Sequence, residues 1–182
     1  MQAADVVDFW IQAGSKAWFA KSDAFDQAIR ARFEALHHSA ARGELIDWNA
    51  TATGALALLL LLDQFPRNLF RGSAHAFATD PLARLYAGQA IDRGHDLAVA
   101  ANLRPFFYLP FEHSEHAADQ ARALNLCGTY SQATGDQEIL RYARLHADII
   151  SRFGRFPHRN ATLGRQDTDE ESEFLKNGGF AG

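Results

Sequence analysis

The chain has 182 residues, of which 47% are apolar and 22% charged. This is the composition of an ordinary globular protein and argues against disorder. The length suffices for a hydrophobic core, so we expect a single domain over residues 1–182. The formal net charge of −4 argues against nucleic acid as a partner, because general nucleic-acid binding needs a basic surface.

Cysteine usage and the apolar segments exclude further classes of protein. The single cysteine, Cys127, cannot form an intrachain disulfide or a multi-cysteine metal site, and its apolar neighbours predict an unreactive core thiol. The N-terminus lacks the order of charged, apolar and small residues found in signal peptides. The apolar run at residues 55–62 is too short to cross a bilayer. We therefore expect a cytoplasmic protein with no membrane partner.

Helix signals dominate the first part of the chain. Residues 3–13 show the apolar spacing of a helix, and Ser22 or Asp23 can cap a second helix. The second helix carries one apolar stripe. His37 and His38 lie next to that stripe and are expected on the helix surface.

A third helix is predicted from Trp48 through the apolar run to Asp63. Because residues 55–62 are apolar on every side, this helix should be central, with neighbours all around it. Pro66 disfavours further helical structure, so residues 63–72 are predicted to form a charged turn.

The second half of the chain is also predicted to be helical. Asp-Pro at residues 80–81 begins a helix. Residues 102–111 contain two prolines and should be irregular, with their aromatic side chains packed inward. A long helix should begin near Ser114, and the pairs Thr134–Gln137 and Thr168–Glu171 match capping boxes at two further helix starts.

No segment shows the sustained alternation of apolar and polar residues that is typical of a strand. The predicted fold is all-α, with about seven or eight helices packed as antiparallel hairpins. The arrangement should be similar to tetratricopeptide repeats, although no repeat occurs at a fixed period.

A short motif occurs twice, each time at the end of an apolar helix. Residues 65–68 read Phe-Pro-Arg-Asn, and residues 156–160 read Phe-Pro-His-Arg-Asn. Asp63 precedes the first copy at a helix C-terminus, where the macrodipole disfavours negative charge, so it needs a cation such as Arg67. The Asp63–Arg67 pair either stabilises the turn or belongs to a functional site.

The second copy carries an excess of positive charge. Residues 149–166 include no acid, and guanidinium groups bind carboxylate or phosphate at two points. The cluster could therefore hold an anionic ligand, or it could neutralise Asp63 and the acids near residue 112. Its four arginines are Arg152, Arg155, Arg159 and Arg165.

Residues 112–116 (Glu-His-Ser-Glu-His) concentrate titratable groups at a predicted helix start. The two glutamates suit the positive end of the helix dipole. The spacing matches neither the His-Glu-x-x-His zinc motif nor the Glu-x-x-His motif of di-iron bundles, so we predict no metal and no cofactor. A histidine–carboxylate pair for acid/base chemistry is an alternative. The candidate pairs are His113 with Glu115, and His146 or His158 with Asp63.

Taken together, these motifs resemble the bacterial domain-of-unknown-function family 924. The resemblance implies a single all-α domain similar to tetratricopeptide-repeat proteins, without the sequence signature of those repeats. The family has no established activity, so the resemblance implies no catalytic residue. It rests on residues 8–10, 63–68, 71–72, 110–111, 113–115, 152–160, 163–165 and 170–171.

The leading functional hypothesis is that both motifs form one polar pocket for a small phosphate- or carboxylate-bearing ligand. A hydrolase-type enzyme is one alternative, although the phosphate-binding glycine loop and the Gly-x-Ser-x-Gly elbow are absent. A helical scaffold that binds a protein partner is another, with the motifs serving only to end helices. The ligand-binding candidates are Arg67, Asn68, Arg71, Arg155, Arg159, Asn160 and Arg165, and the catalytic candidates are Asp63, His113, Glu115 and His158.

Overall fold

A computed structural model describes residues 1–180 of the chain. Every regular element within that range is helical and none is a strand, which confirms the all-α prediction. The chain forms two compact units, one from Met1–Arg71 and His75–Pro110, the other from Gly72–Ala74 and the chain from Phe111 onward. The single domain and the tetratricopeptide-like arrangement stay predictions.

Ten α-helices lie within the described residues, and short 3-10 helices lie between some of them. In chain order they are α1 (Ala3–Ala13), α2 (Ser15–Trp18), α3 (Asp23–Ala41), α4 (Ala52–Leu59), α5 (Phe65–Leu69), α6 (Asp80–Asp92), α7 (Pro105–Glu112), α8 (Ala117–Thr134), α9 (Gln137–Phe153) and α10 (Asp169–Lys176). The 3-10 helices are Ile46–Ala50, Ala74–Phe77, His95–Ala98, Ala101–Leu103 and Pro157–Arg159, and Leu60–Gln64 is a π-helical turn.

The centre of the first unit is the apolar run predicted from the sequence. Every side chain from residue 55 to 62 is at most 1% exposed. α4 contacts both α1 and α6, while α3 contacts α5 and the π-turn. A helix contacted from several directions has no polar face, so the prediction of a central helix is confirmed.

The beginning of this central helix differs from the prediction. Trp48 lies in the 3-10 helix Ile46–Ala50, and Thr51 caps α4 by accepting a hydrogen bond from the Gly54 amide at 3.1 Å. A Cβ on Gly54 would lie 2.0 Å from the carbonyl oxygen of Trp48. The two segments therefore approach so closely that only glycine fits at this position.

The predicted charged turn at residues 63–72 was wrong over most of its length. The helical path continues from α4 through the π-turn into α5, which ends at Leu69. Pro66 lies in the first turn of α5, where a proline is tolerated because its fixed φ suits a helix start. The wider π-turn before it changes the hydrogen-bond pattern without ending the helix.

Residues 102–111 were predicted to be irregular, but most of them form α7. Pro105 begins this helix and Pro110 lies two residues before its end, so the cost is confined to one missing hydrogen bond in the last turn, about 3 kcal/mol. The apolar residues at positions 106–109 and 111 are at most 5% exposed. Since each buried aromatic or leucine side chain contributes about 1.5–3 kcal/mol, their burial outweighs the proline penalty. Their inward packing was predicted correctly.

In the second unit, α8 and α9 pack together as a helical hairpin joined by Gly135 and Asp136. α8 starts at Ala117, somewhat later than predicted. The capping box at Thr134 was wrong, because the Thr134 hydroxyl donates back to the Tyr130 carbonyl and the Asp136 side chain caps α9.

The capping box of Thr168 and Glu171 at the start of α10 was predicted correctly. The Glu171 amide donates to the Thr168 hydroxyl at 3.2 Å, and the Thr168 amide donates to the Glu171 carboxylate at 2.7 Å. These reciprocal bonds satisfy backbone donors at a helix end that no other backbone group can reach.

Candidate functional site

In the first unit, the first Phe-Pro motif forms a buried ion-pair network. Asp63 is 1% exposed, and Nη1 of Arg67 lies 3.3 Å from its Oδ1. The same guanidinium donates to both carboxylate oxygens of Asp80, at 3.0 and 3.2 Å. Burial opposes the charge on Arg67, but the two carboxylates outweigh it and raise the pKa of the guanidinium. The prediction that Asp63 needs a cation is confirmed, although Pro66 does not interrupt the helical spacing of the pair.

The π-turn and Pro66 explain two further contacts in this network. The Phe65 amide donates to the Leu60 carbonyl, which leaves the Leu61 carbonyl without its usual helical donor. Nδ1 of His37 lies 2.8 Å from that Leu61 oxygen. His37 is therefore buried, and the prediction that it lies on the helix surface was wrong. Burial is the main cause that lowers the pKa of His37.

The next carbonyl, that of Leu62, would accept from the amide of residue 66 in a regular helix, but Pro66 has no N–H. The hydroxyl of Thr79 donates to the Leu62 oxygen at 2.6 Å instead. A hydroxyl at the start of α6 thus compensates for the proline in the motif.

The remaining polar residues of the first motif bind Asp26 on α3. Asn68 donates to Oδ1 at 2.7 Å, and Arg71 donates to both carboxylate oxygens at 3.0 Å. Burial raises the pKa of Asp26, but the hydrogen bonds from Arg71 and Asn68 lower it below its usual value. These ligand-binding candidates therefore join the end of α5 to α3.

In the second unit, the second motif is organised around Glu115. Arg165 donates to both carboxylate oxygens at 2.7 and 2.9 Å, and the Phe156 amide donates to Oε1 at 2.8 Å. Asn160 accepts from Nε of Arg165 at 2.8 Å and donates to Asp167 at 2.7 Å. Burial raises the pKa of Glu115, but these donors outweigh it and keep the carboxylate charged.

Arg155 is paired with a carboxylate of α10. It donates to both oxygens of Glu171 at 2.6 and 2.7 Å and to the Gln166 carbonyl at 2.8 Å. The hydrogen bond from Arg155 is the main cause that lowers the pKa of Glu171 to about 2. The segment 149–166 contains no acid, and its residues Arg155 and Arg165 pair with carboxylates that lie outside it, Glu171 and Glu115.

Three histidines of the second unit group around two phenylalanine rings. The centroid of the His146 ring lies 6.3 Å from His113, 5.5 Å from Phe156 and 4.7 Å from Phe180. The His158 ring lies 5.6 Å from Phe156 and 5.3 Å from Phe180. We call His113, His146 and His158 the histidine cluster.

His146 has a carboxylate partner that the sequence did not indicate. Its Nδ1 lies 3.0 Å from Oε1 of Glu112 and 2.9 Å from the Tyr142 carbonyl oxygen, and both His146 and Glu112 are buried. The pairing of His146 with Asp63 stays a prediction. The spacing of 34 positions between Glu112 and His146 gives no local signal for their contact.

His158 lies in positively charged surroundings. Its Nδ1 is buried and makes no hydrogen bond within the described chain. Burial, and then the charge of Arg159, lower the pKa of His158 to about 4, against the opposing effect of Glu115. The Arg159 guanidinium lies 4.5 Å from the centroid of the Phe156 ring, so the imidazole, the guanidinium and that ring form one contact group.

Metal chemistry and thiol chemistry find no support in the described residues. No group of three or more His, Cys, Asp or Glu side chains between residues 1 and 180 has a geometry that could hold a metal ion. Cys127 is fully buried, and burial raises the pKa of its thiol, as expected for the predicted core thiol.

The second unit carries two shallow surface grooves. One has a volume of 370 Å³ along α9, from Gln137 to Asp148, and the other has 440 Å³ beside Arg155 and Glu171. Neither groove is lined by a residue of the histidine cluster.

The fold and these networks define an all-helical protein with two polar motif regions. The model of a family of bacterial proteins of unknown function, DUF924, matches residues 6–179, and the chain belongs to this family. It is also similar to the solved structure of a protein of unknown function from Agrobacterium tumefaciens, ATU0120. The two are 54% identical, with a TM-score of 0.91 over 96% of this chain and 97% of the other.

No curated protein matches the chain. Among the described residues, no helix has the length and apolar character required to cross a membrane.

Proposed function

We propose that the second unit binds a small anion, phosphate- or carboxylate-bearing, at His158 and its cationic neighbour Arg159. The observation that carries the proposal is the buried Nδ1 of His158, which has no hydrogen-bond partner in the described chain. Buried polar atoms in proteins are normally hydrogen-bonded, and an exception calls for a bound group or a functional role.

The charges around His158 favour an anion. Arg159, His113 and Arg165 all lower its pKa, and Glu115 is the carboxylate that acts in the opposite direction. Glu115 is itself held by two hydrogen bonds from Arg165, so its charge is already balanced. An anion that accepts from the imidazole or from a guanidinium would form a charge-assisted hydrogen bond.

The other arginines of the motifs have a different role in this proposal. The guanidinium groups of four of them each bind a carboxylate through two nitrogen–oxygen contacts, namely Arg67, Arg71, Arg155 and Arg165. An anionic ligand would have to displace those carboxylates. We therefore assign these four arginines to the scaffold and place the ligand at His158 and Arg159 of the second motif.

The test is an NMR titration of the full chain with inorganic phosphate and, separately, with succinate at pH 7, followed through the Cε1–H resonances of the histidines. We expect the His158 resonance to shift and saturate. Its pKa should rise from about 4, because a bound anion stabilises the imidazolium form. Resonances that move linearly with salt, without saturation at His158, would contradict the proposal.

A matched pair of variants separates this site from general salt effects. Arg159→Gln removes a charge beside His158 and should weaken phosphate binding about 10- to 100-fold, the value of one charge-assisted hydrogen bond. Arg141→Gln removes an exposed arginine that is paired with Glu138 on α9 and should leave binding unchanged. Equal effects of both variants on phosphate affinity would show that binding depends only on the net charge of the protein, and would contradict a site at His158.

A second candidate function is hydrolytic catalysis by His146. The buried contact of its Nδ1 with Glu112 at 3.0 Å orients the ring as in histidine–carboxylate pairs that act as general acid or base. A screen of phosphate and carboxylate esters tests it. Any turnover should be lost in His146→Gln and retained in His116→Gln, which alters an exposed histidine of the same unit.

A further inference from the structure

Phe180 lies against the histidine cluster at the end of the described chain. Its ring centroid is 4.7 Å from that of His146 and 5.3 Å from that of His158, and both contacts are edge-on. The same ring packs against the apolar cluster of Ile149, Ile150 and Phe156. One side chain therefore contacts both histidines that the candidate functions use.

The backbone before Phe180 turns back from α10 through two glycines. Gly178 has a φ of +78°, which glycine adopts without steric cost and other residues rarely adopt. The Gly179 amide donates to the Phe174 carbonyl at 2.9 Å. A Cβ on Gly179 would lie 2.6 Å from carbon atoms of the Phe174 ring. The path that brings Phe180 to the histidines thus depends on glycine at both positions.

The segment is also held by few bonds. Among the described residues, the backbone hydrogen bonds beyond Lys176 are those of the Asn177, Gly178 and Gly179 amides to the last turn of α10. A segment with few backbone hydrogen bonds opens at lower free-energy cost than the core does. The Phe180 ring can therefore leave the cluster without unfolding α9 or α10.

We propose that Phe180 is a cover over the histidine cluster, which limits the access of a ligand or reagent to His146 and His158 until the ring swings away. The identity of that ligand, a small anion, rests on the proposed function, whereas the cover itself rests only on the ring contacts and the glycine turn.

The test is labelling of the full chain with diethyl pyrocarbonate at pH 7, with the rate at each histidine read by mass spectrometry of its peptide. The reagent acylates a neutral imidazole nitrogen and releases ethanol and carbon dioxide. His158 is neutral at this pH, because burial and Arg159 lower its pKa to about 4. Phe180→Ala should raise the labelling rates of His158 and His146 several-fold, while exposed His116 keeps its rate. Unchanged rates at His158 and His146 would overturn the proposal.

Two further variants distinguish removal of the cover from a general loosening of the second unit. Phe153→Ala removes a ring from the same apolar cluster that packs against Phe174 rather than the histidines, so His158 labelling should stay at the wild-type rate. A rise equal to that of Phe180→Ala would mean general loosening and would overturn the cover. Gly179→Ala keeps the Phe180 ring but forces the segment away from Phe174, and it should raise labelling as Phe180→Ala does. If Phe180→Ala fails to fold, Gly179→Ala decides the question alone.

The phosphate titration on the same variants separates the two proposals. Faster labelling in Phe180→Ala, with no phosphate binding in any form of the protein, supports the cover and contradicts the anion site. Saturable phosphate binding with identical labelling in all variants contradicts the cover and supports the anion site.

Discussion

Removal of Arg67 is the sharpest perturbation of the first unit. Arg67→Ala takes away the guanidinium shared by Asp63 and Asp80, whose side chains are 1% and 6% exposed. Breaking a buried ion pair by deleting one partner costs about 3–5 kcal/mol, because a charge stays buried without its counter-ion. That loss is a large part of the total stability of about 5–15 kcal/mol that is usual for a folded protein.

Urea unfolding followed by tryptophan fluorescence measures this loss. The three tryptophans, Trp10, Trp18 and Trp48, all lie in the first unit with Arg67, so the signal reports on the unit that is changed. The control is Arg42→Ala, which breaks an exposed pair with Glu44 in the same unit and should change the free energy of unfolding much less than Arg67→Ala does.

A triple variant tests the physical reason. Arg67→Met combined with Asp63→Asn and Asp80→Asn removes the cation and both charges, and it should recover most of the stability because no buried charge is left uncompensated. The reasoning would be refuted if Arg67→Ala cost no more than the exposed control. It would also be refuted if the triple variant were less stable than the single one.

Three smaller predictions follow from individual contacts. Thr79→Val leaves the Leu62 carbonyl without its hydroxyl donor and should cost about 1–3 kcal/mol in the same urea assay; no loss would mean that water replaces the hydroxyl. The pKa of His158 is lowered to about 4 in the folded chain, so as pH falls His158 takes up a proton in the unfolded chain at a higher pH than in the folded chain. The free energy of unfolding should therefore drop between about pH 6.5 and pH 4 and stay flat above, by about 1–2 kcal/mol after allowance for partial solvent screening. Circular dichroism melts at pH 7 and 4.5 should show this drop in the wild type and a smaller one in His158→Asn; equal drops would refute it. Thr168→Ala removes the cap of α10 and should cost about 0.5–2 kcal/mol, whereas Thr129→Ala, an exposed threonine inside α8, should change the melting temperature little.

Several features of the fold followed from short-range patterns in the sequence. The helix at residues 3–13 and the capping box of Thr168 and Glu171 were predicted correctly, and Ser22 is the N-cap of α3, one of the two caps that the sequence left open. These signals act between residues no more than four apart, so the chain itself brings the partners together. The burial of residues 55–62 was also predictable, because a helix that is apolar on every side has to be surrounded.

The prolines show where predictions from neighbouring residues fail. Pro66 and Pro110 were expected to interrupt regular structure, yet both lie within helical segments. A proline removes one hydrogen bond, and that loss is offset where burial or a neighbouring hydroxyl compensates, as Thr79 does at Leu62. Compensation of this kind comes from other parts of the fold and leaves no trace beside the proline.

The partners of the charged residues were decided by tertiary structure alone. The sequence indicated that Asp63 needs a cation and that the arginines of the second motif need anions. It did not indicate that Arg71 binds Asp26, 45 positions away, or that Arg165 binds Glu115, 50 positions away. The sequence thus determined the helices and the set of polar residues, since both depend on neighbours along the chain. Only the packing of distant helices decided which charges meet, because Coulomb attraction and hydrogen bonding depend on distance in space and not on separation in sequence.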